Sequence, residues 1–93
     1  MDIMKSTHIF QTKGIYQACD NDRKFYEEVI KALGKYLIFD WGDSCKEDKM
    51  LNDYSIKNGL GRTVAKYKTS QGDIFIIGES NLPVTTIMFS YEY

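Results

Sequence analysis

Four carboxylates crowd one short stretch of the chain: Asp40, Asp43, Glu47 and Asp48, with Trp41 among them. Clustered oxygen donors suit a hard cation, because Mg²⁺ and Ca²⁺ are held by carboxylates and carbonyls. The spacing, however, is not that of a calcium-binding loop, which alternates Asp or Asn, turns at a Gly and closes with a Glu. Glu47 and Asp48 fall where a helix should begin, and there the helix dipole favours carboxylates without any ligand. Capping and dipole effects are the first reading of this cluster. A protein-contact face is the second, and no metal or other cofactor is expected. Trp41, next to Gly42, reads first as a plug at the edge of the core. Its other reading is an anchor in a contact, where Trp often dominates the binding energy.

Catalysis finds few candidates. A nucleophile-plus-base arrangement needs Cys or Ser beside His, with a third group orienting the base. His8 is the one histidine, and nothing in the spacing brings it to Cys19 or Cys45. Two cysteines and one histidine do not make a zinc site either. There is no G-x-G-x-x-G and no P-loop; Gly59-Leu60-Gly61-Arg62 reads as a helix stop followed by a turn. No catalytic residue is assigned. A basic constellation remains: Arg62, Lys66 and Lys68 with Tyr67 or Tyr54 as a stacking ring would suit a single-stranded nucleic acid. Alternatively, Tyr36, Tyr67 and Arg62 would line a pocket for a nucleotide or another small molecule. Lysines on a solvent-facing strand also protect a sheet edge with no ligand involved.

These residues must be positioned by a single domain. A chain of 93 residues with 43% hydrophobic and 27% charged side chains has a globular profile and room for one core. The net charge of −1 excludes a whole-molecule field strong enough to recruit DNA or an anionic membrane. Local charge is uneven. From Asp40 to Asp53 five acids stand against Lys46 and Lys49, whereas Lys57, Arg62, Lys66 and Lys68 follow with no acid between them. Adjacent blocks of opposite sign mark two solvated faces or a self-complementary association. No apolar run reaches the roughly 18 residues of a membrane span, and the N-terminus lacks the apolar core of a signal peptide. Reduced thiols in a cytoplasm, with no membrane partner, are the expectation.

The elements follow from periodicity. Residues 7–12 read as a short strand, with His8 and Phe10 on one side and Ile9 and Gln11 on the other. Gly14 breaks it, IYQAC forms a single helical turn, and Asp20, Asn21 and Asp22 supply N-cap chemistry. From Asp22 to about Leu37 the chain is helical: Phe25, Val29, Leu33 and Leu37 form a stripe that Tyr26, Ile30 and Tyr36 widen. Gly34 inside it costs about 1 kcal/mol relative to Ala, which suggests a close approach or an early end. After the DWGD turn, Ser44 and Glu47 spell a capping box. A second helix then runs from Cys45 to about Asn58, stopping at Gly59, with Met50, Leu51, Tyr54 and Ile56 as a narrow buried stripe. Three strands complete the chain: Thr63–Thr69 with Ala65 and Tyr67 inward, Asp73–Glu79 apolar on both faces, and Val84–Phe89. They are joined by turns at Ser70–Asp73 and Asn81–Pro83 and form an antiparallel meander, with FSYEY closing the last strand. The predicted fold is α+β, in the order β-α-α-β-β-β, with two helices on one face of an antiparallel sheet.

Two stretches, FDWGDSCKEDKMLND with the following KNG and GDIFIIGESNLPVTTIMFSYEY, resemble a widespread family of short bacterial proteins carried on plasmids, phages and other mobile elements. The family pattern is G-D-W-G-D-x-x-x-E-D-x-x-x-N-D, then R-x-x-A-x-Y, and a terminal I-x-I-I-x-E…T-T-I-x-F-x-x-E-Y. Together these pieces cover roughly two thirds of the chain. Phe39 departs from the Gly that usually precedes DWGD, and Gly78 stands where Thr is common. The resemblance implies no reaction. It implies a setting, in which small accessory proteins include inhibitors of host defence such as anti-CRISPR proteins.

The expected function is that of a small non-catalytic binding protein, monomer or weak homodimer. Asp40, Asp43, Glu47 and Asp48 would steer a protein partner, such as a basic defence nuclease, while Trp41 and Tyr54 make the contact. The alternatives are a nucleotide or small-molecule module using Tyr36, Tyr67 and Arg62, and a weak single-strand binder using Arg62, Lys66, Tyr67 and Lys68. Nucleic acid ranks below protein as a partner.

Overall fold

The computed structural model describes residues 8–59, 61–79 and 84–93. Strand β1 (His8–Gln11) leads into helix α1 (Lys13–Asn21) and helix α2 (Arg23–Leu37). Helix α3 (Lys46–Asn58) precedes strands β2 (Arg62–Thr69), β3 (Gly72–Glu79) and β4 (Val84–Phe89), and Ser90–Glu92 form a terminal 3-10 turn.

The expected α+β class holds, but two finer features differ. Three helices stand among the described residues instead of two, because the stretch after Gly14 makes a nine-residue helix rather than one turn. Thr12 caps it, its Oγ1 accepting from the Ile15 N–H. Gly14 lies in the first turn, where backbone N–H groups lack intrahelical partners in any case, so it does not break the helix. The sheet is also mixed. Its order is β1-β4-β3-β2, with β1 parallel to β4 and the other pairs antiparallel. Alternation in β1 reports which side chains share a face. It carries no information on direction, which the helical crossover decides.

The three C-terminal strands pair as the antiparallel meander read from the sequence; the turn assigned to Asn81–Pro83, like residue 7 at the expected start of β1, lies outside the described residues. Ala65 and Tyr67 on β2, Ile74 and Ile76 on β3, and Ile87 and Phe89 on β4 are buried on one face. Against them pack Ile15 of α1 and Phe25, Val29, Ala32 and Tyr36 of α2. Phe25 stacks on Phe89 with ring centroids 5.4 Å apart. Asp22 caps α2 by accepting from the Phe25 N–H. Leu33 and Leu37 are half-buried, whereas Tyr26 and Ile30 face solvent, so the stripe is narrower than its hydrophobicity suggested.

The end of the chain differs from expectation too. Only Phe89 of FSYEY belongs to the strand, and the 3-10 turn that follows is held by Glu92, whose Oε1 accepts from Phe89 N and Thr12 Oγ1. The opposite sheet face carries Val64, Lys66, Phe75, Ile77, Thr86 and Met88; Ile77 is buried there, and Tyr93, after the 3-10 turn, meets Phe75 edge-on.

Candidate functional site

Helix α2 ends in a Schellman motif. The Asp40 N–H donates to Lys35 O at 2.9 Å and the Phe39 N–H to Tyr36 O at 3.0 Å. Phe39 occupies the left-handed position with φ 63°, where Gly is favoured. The chain then enters DWGDS, and almost every residue of that segment bonds inward. Asp40 Oδ1 accepts from the Gly42 N–H, and the Asp40 carbonyl accepts from the Tyr67 hydroxyl at 2.8 Å. Gly42 adopts φ 62° directly beneath the Tyr67 ring, leaving no room for a Cβ. Trp41 is 4% exposed and donates its indole N–H to Asp53 Oδ1 at 2.7 Å.

The segment then runs along the outer edge of β2. The Asp43 N–H donates to Lys66 O, and Asp43 Oδ2 accepts from the Lys68 N–H. Ser44 Oγ accepts from the Lys66 N–H at 2.8 Å while donating to Trp41 O. Midway along α3, Asn52 accepts from the Val64 N–H and donates to Val64 O. An edge strand exposes a row of unpaired amides that invites foreign strands. Here those of Val64, Lys66 and Lys68 are covered by the loop and by α3.

This use of Ser44 overturns the expected capping box. The N-cap of α3 is Cys45, and no side chain caps it. Ser44 cannot serve the helix because its hydroxyl is already committed to β2. The expected burial of α3 is overturned as well. Asn52 is its buried residue and Ile56 is half-buried, while Met50, Leu51 and Tyr54 are each about 60% exposed. The helix turns a polar side chain inward because its neighbour is a strand edge that needs hydrogen bonds, not an apolar surface.

The predicted site residues therefore separate. Trp41 is a core plug and not an exposed anchor, a correction that follows from its burial and its bond to Asp53. Asp40 and Asp43 are exposed but are bonded to backbone donors. Glu47 and Tyr54 remain on the outer side of α3 and Asp48 is exposed in its first turn, and neither the Glu47 nor the Asp48 side chain hydrogen-bonds another described residue. Among the described residues no three metal-ligating side chains gather.

The pocket expected from Tyr36, Tyr67 and Arg62 does not form. The Tyr36 hydroxyl is 2.7 Å from Thr63 Oγ1 in the core, beneath Gly78, where a Cβ would strike it. Burial raises the Tyr36 hydroxyl pKa, and it raises that of Tyr67 too, with the negative charge of Asp40 and then of Asp43 adding to the effect there. Tyr67 is thus unavailable for stacking on a base. Arg62, Lys66 and Lys68 lie on the sheet face opposite the core helices, where Arg62 sits 5.6 Å from the Tyr93 ring and Tyr93 meets Phe75 edge-on at 5.4 Å. Phe75 and Tyr93 were missed in the sequence because Tyr67 offered a nearer ring to the same cations.

No family model, curated protein or solved structure matches this chain. The motif residues nevertheless acquire physical roles. Asp40, Trp41, Gly42, Asp43, Asn52 and Asp53 build the cover of β2, and Glu47 and Asp48 are the members of that block left without a structural bond. No helix among the described residues is long and apolar enough to cross a membrane.

Proposed function

We propose that this chain is a non-catalytic protein-binding module whose contact surface is the outer side of α3. The observation that carries the reading is the inverted burial of that helix. Glu47, Met50, Leu51 and Tyr54 recur at helical spacing on the side away from the sheet, while Asn52 is turned in. Exposed apolar side chains rimmed by charge are the composition of an interaction patch. Glu47 and Asp48 give its N-terminal end a negative field that would steer a basic partner. In the mobile-element setting implied by the resemblance, the nucleic-acid channel of a defence nuclease is such a partner.

The test is affinity capture from the native host, comparing the wild type with Glu47→Lys/Asp48→Lys and with Met50→Ala/Tyr54→Ala. Both variants change side chains that hold nothing inside the fold, so both should keep the melting temperature within a few degrees and lose the partner. Undiminished capture by both variants removes α3 as the surface.

A second reading has its own support: the Arg62–Tyr93–Phe75 group on the sheet face opposite the core helices, with Lys66 and Lys68 on the same face, has the composition of a single-strand stacking platform. It ranks lower because Arg62 is drawn toward Glu79 at 3.7 Å. It requires affinity for a single strand that falls steeply with salt.

A further inference from the structure

The two edges of the sheet are treated differently. The outward amides of β2 are covered, as described above. At the other edge, β1 pairs with β4 on one side only. The Thr12 N–H donates to Ile87 O at 3.0 Å, so by strand alternation Phe10 and His8 also direct their backbone groups toward β4. Ile9 and Gln11 therefore direct theirs outward, and among the described residues nothing receives them. The side chains offer none of the usual protection of an edge, which comes from Lys, Pro or a bulge. Ile9 and Phe10 are each about half exposed, and no residue of His8–Gln11 is Asp, Glu, Lys or Arg.

Beside this edge lies an apolar groove of about 290 Å³, walled by Ile9, Cys19, Tyr26, Ile30, Leu33 and Ile87. Gly34 lies one residue after Leu33 on α2, and a Cβ there would meet nothing within 4 Å. Among the described residues no close approach accounts for a glycine in the last turn of that helix.

We propose that the chain pairs with a second copy of itself through β1. The strand is self-complementary. Antiparallel pairing about a two-fold axis at Phe10 sets Ile9 opposite Gln11 of the second copy, and Gln11 opposite its Ile9. Each of these pairs exchanges both backbone hydrogen bonds, which satisfies all the outward groups. Phe10 then faces its own copy in a non-hydrogen-bonded pair, where side chains come closest. No like charges meet between the paired strands, and the sheet continues across the axis. A foreign peptide could make the same hydrogen bonds, but it would not bring the Phe10 pair, and no charged side chain of β1 itself selects one.

Sedimentation equilibrium between about 5 and about 500 µM should show mass rising from one chain to two, with amide exchange at Ile9 and Gln11 slowing in step. Phe10→Lys and Phe10→Glu each place like charges across the axis and should leave a folded monomer. Mixed together, they should recover the dimer, a rescue that no misfolded variant can produce. A wild type that stays monomeric throughout, with or without affinity for an added extended peptide, overturns the proposal. So does a dimer that survives both substitutions, or a mixture that fails to recover it.

Discussion

Asn52 of α3 holds both backbone groups of Val64, accepting from its N–H at 3.1 Å and donating to its carbonyl at 3.0 Å. One side chain thereby stands in for a neighbouring strand. Asn52→Ala would leave a buried donor and acceptor unpaired, at a cost of roughly 2–3 kcal/mol. For a domain of this size that lowers the melting temperature by about 10–20 °C. Equilibrium denaturation measures it. A loss no larger than a surface substitution gives would mean that the edge is not held this way.

Ser44 and Glu47 separate the observed arrangement from the expected capping box. Ser44→Ala removes the acceptor of the Lys66 N–H and a donor to Trp41 O, and should cost about 1–3 kcal/mol. In a capping box Glu47→Ala would also be costly. With no cap bond to lose, it gives up only a dipole interaction, about 0.3–1 kcal/mol, which salt should screen. Similar losses for the two variants would restore the box.

Phe39 is the described non-glycine residue with positive φ, and it occupies the C′ position that ends α2. Phe39→Gly should relieve about 1 kcal/mol of left-handed strain. Against this stands the loss of the tilted contact between Phe39 and Trp41, whose ring centroids are 5.8 Å apart. Because Phe39 is 44% exposed, relief should prevail, and the urea midpoint should rise. A lowered midpoint would show that the Trp41 contact outweighs the backbone.

Alkaline pH should unfold this protein early. Tyr36 and Tyr67 have pKa values raised in the fold, chiefly by burial. In the unfolded chain they ionise at about pH 10. Their contribution is thus complete below that pH. It falls as pH rises above it, because the unfolded state then binds fewer protons than the native one. Tyr67→Phe should lose about 1 kcal/mol at neutral pH with its hydrogen bond to Asp40 O, yet show a flatter decline between about pH 10 and about pH 12. Thermal melts across that range test the slope, and an unchanged slope would place the hydroxyl in water.

Much of the fold was legible because period and polarity are local properties. Alternation in β2 and β4, the four-residue recurrence through α2, Asp22 as its cap and Gly59 as the stop of α3 each follow from residues a few positions apart. Ser44 and Asn52 were not legible in this way. Ser-x-x-Glu has the local form of a helix cap, and Asn inside a helix has no local purpose; both are claimed by β2, more than ten residues away. The same competition turned Met50, Leu51 and Tyr54 outward, reversing the stripe that hydrophobicity alone predicts.

By itself, the order of side chains determined one α+β unit, the residues that line its sheet, and an acidic block at the start of a helix. The tertiary structure alone decided that this block lies beside the edge of a sheet, and hence which of its members bond inward and which face water. It also decided that β1 runs parallel to β4, with the outward backbone groups of Ile9 and Gln11 meeting no partner among the described residues. Hydrophobic periodicity specifies which face of an element is buried. The partner across a strand edge is chosen by backbone hydrogen bonds, and every residue offers those alike.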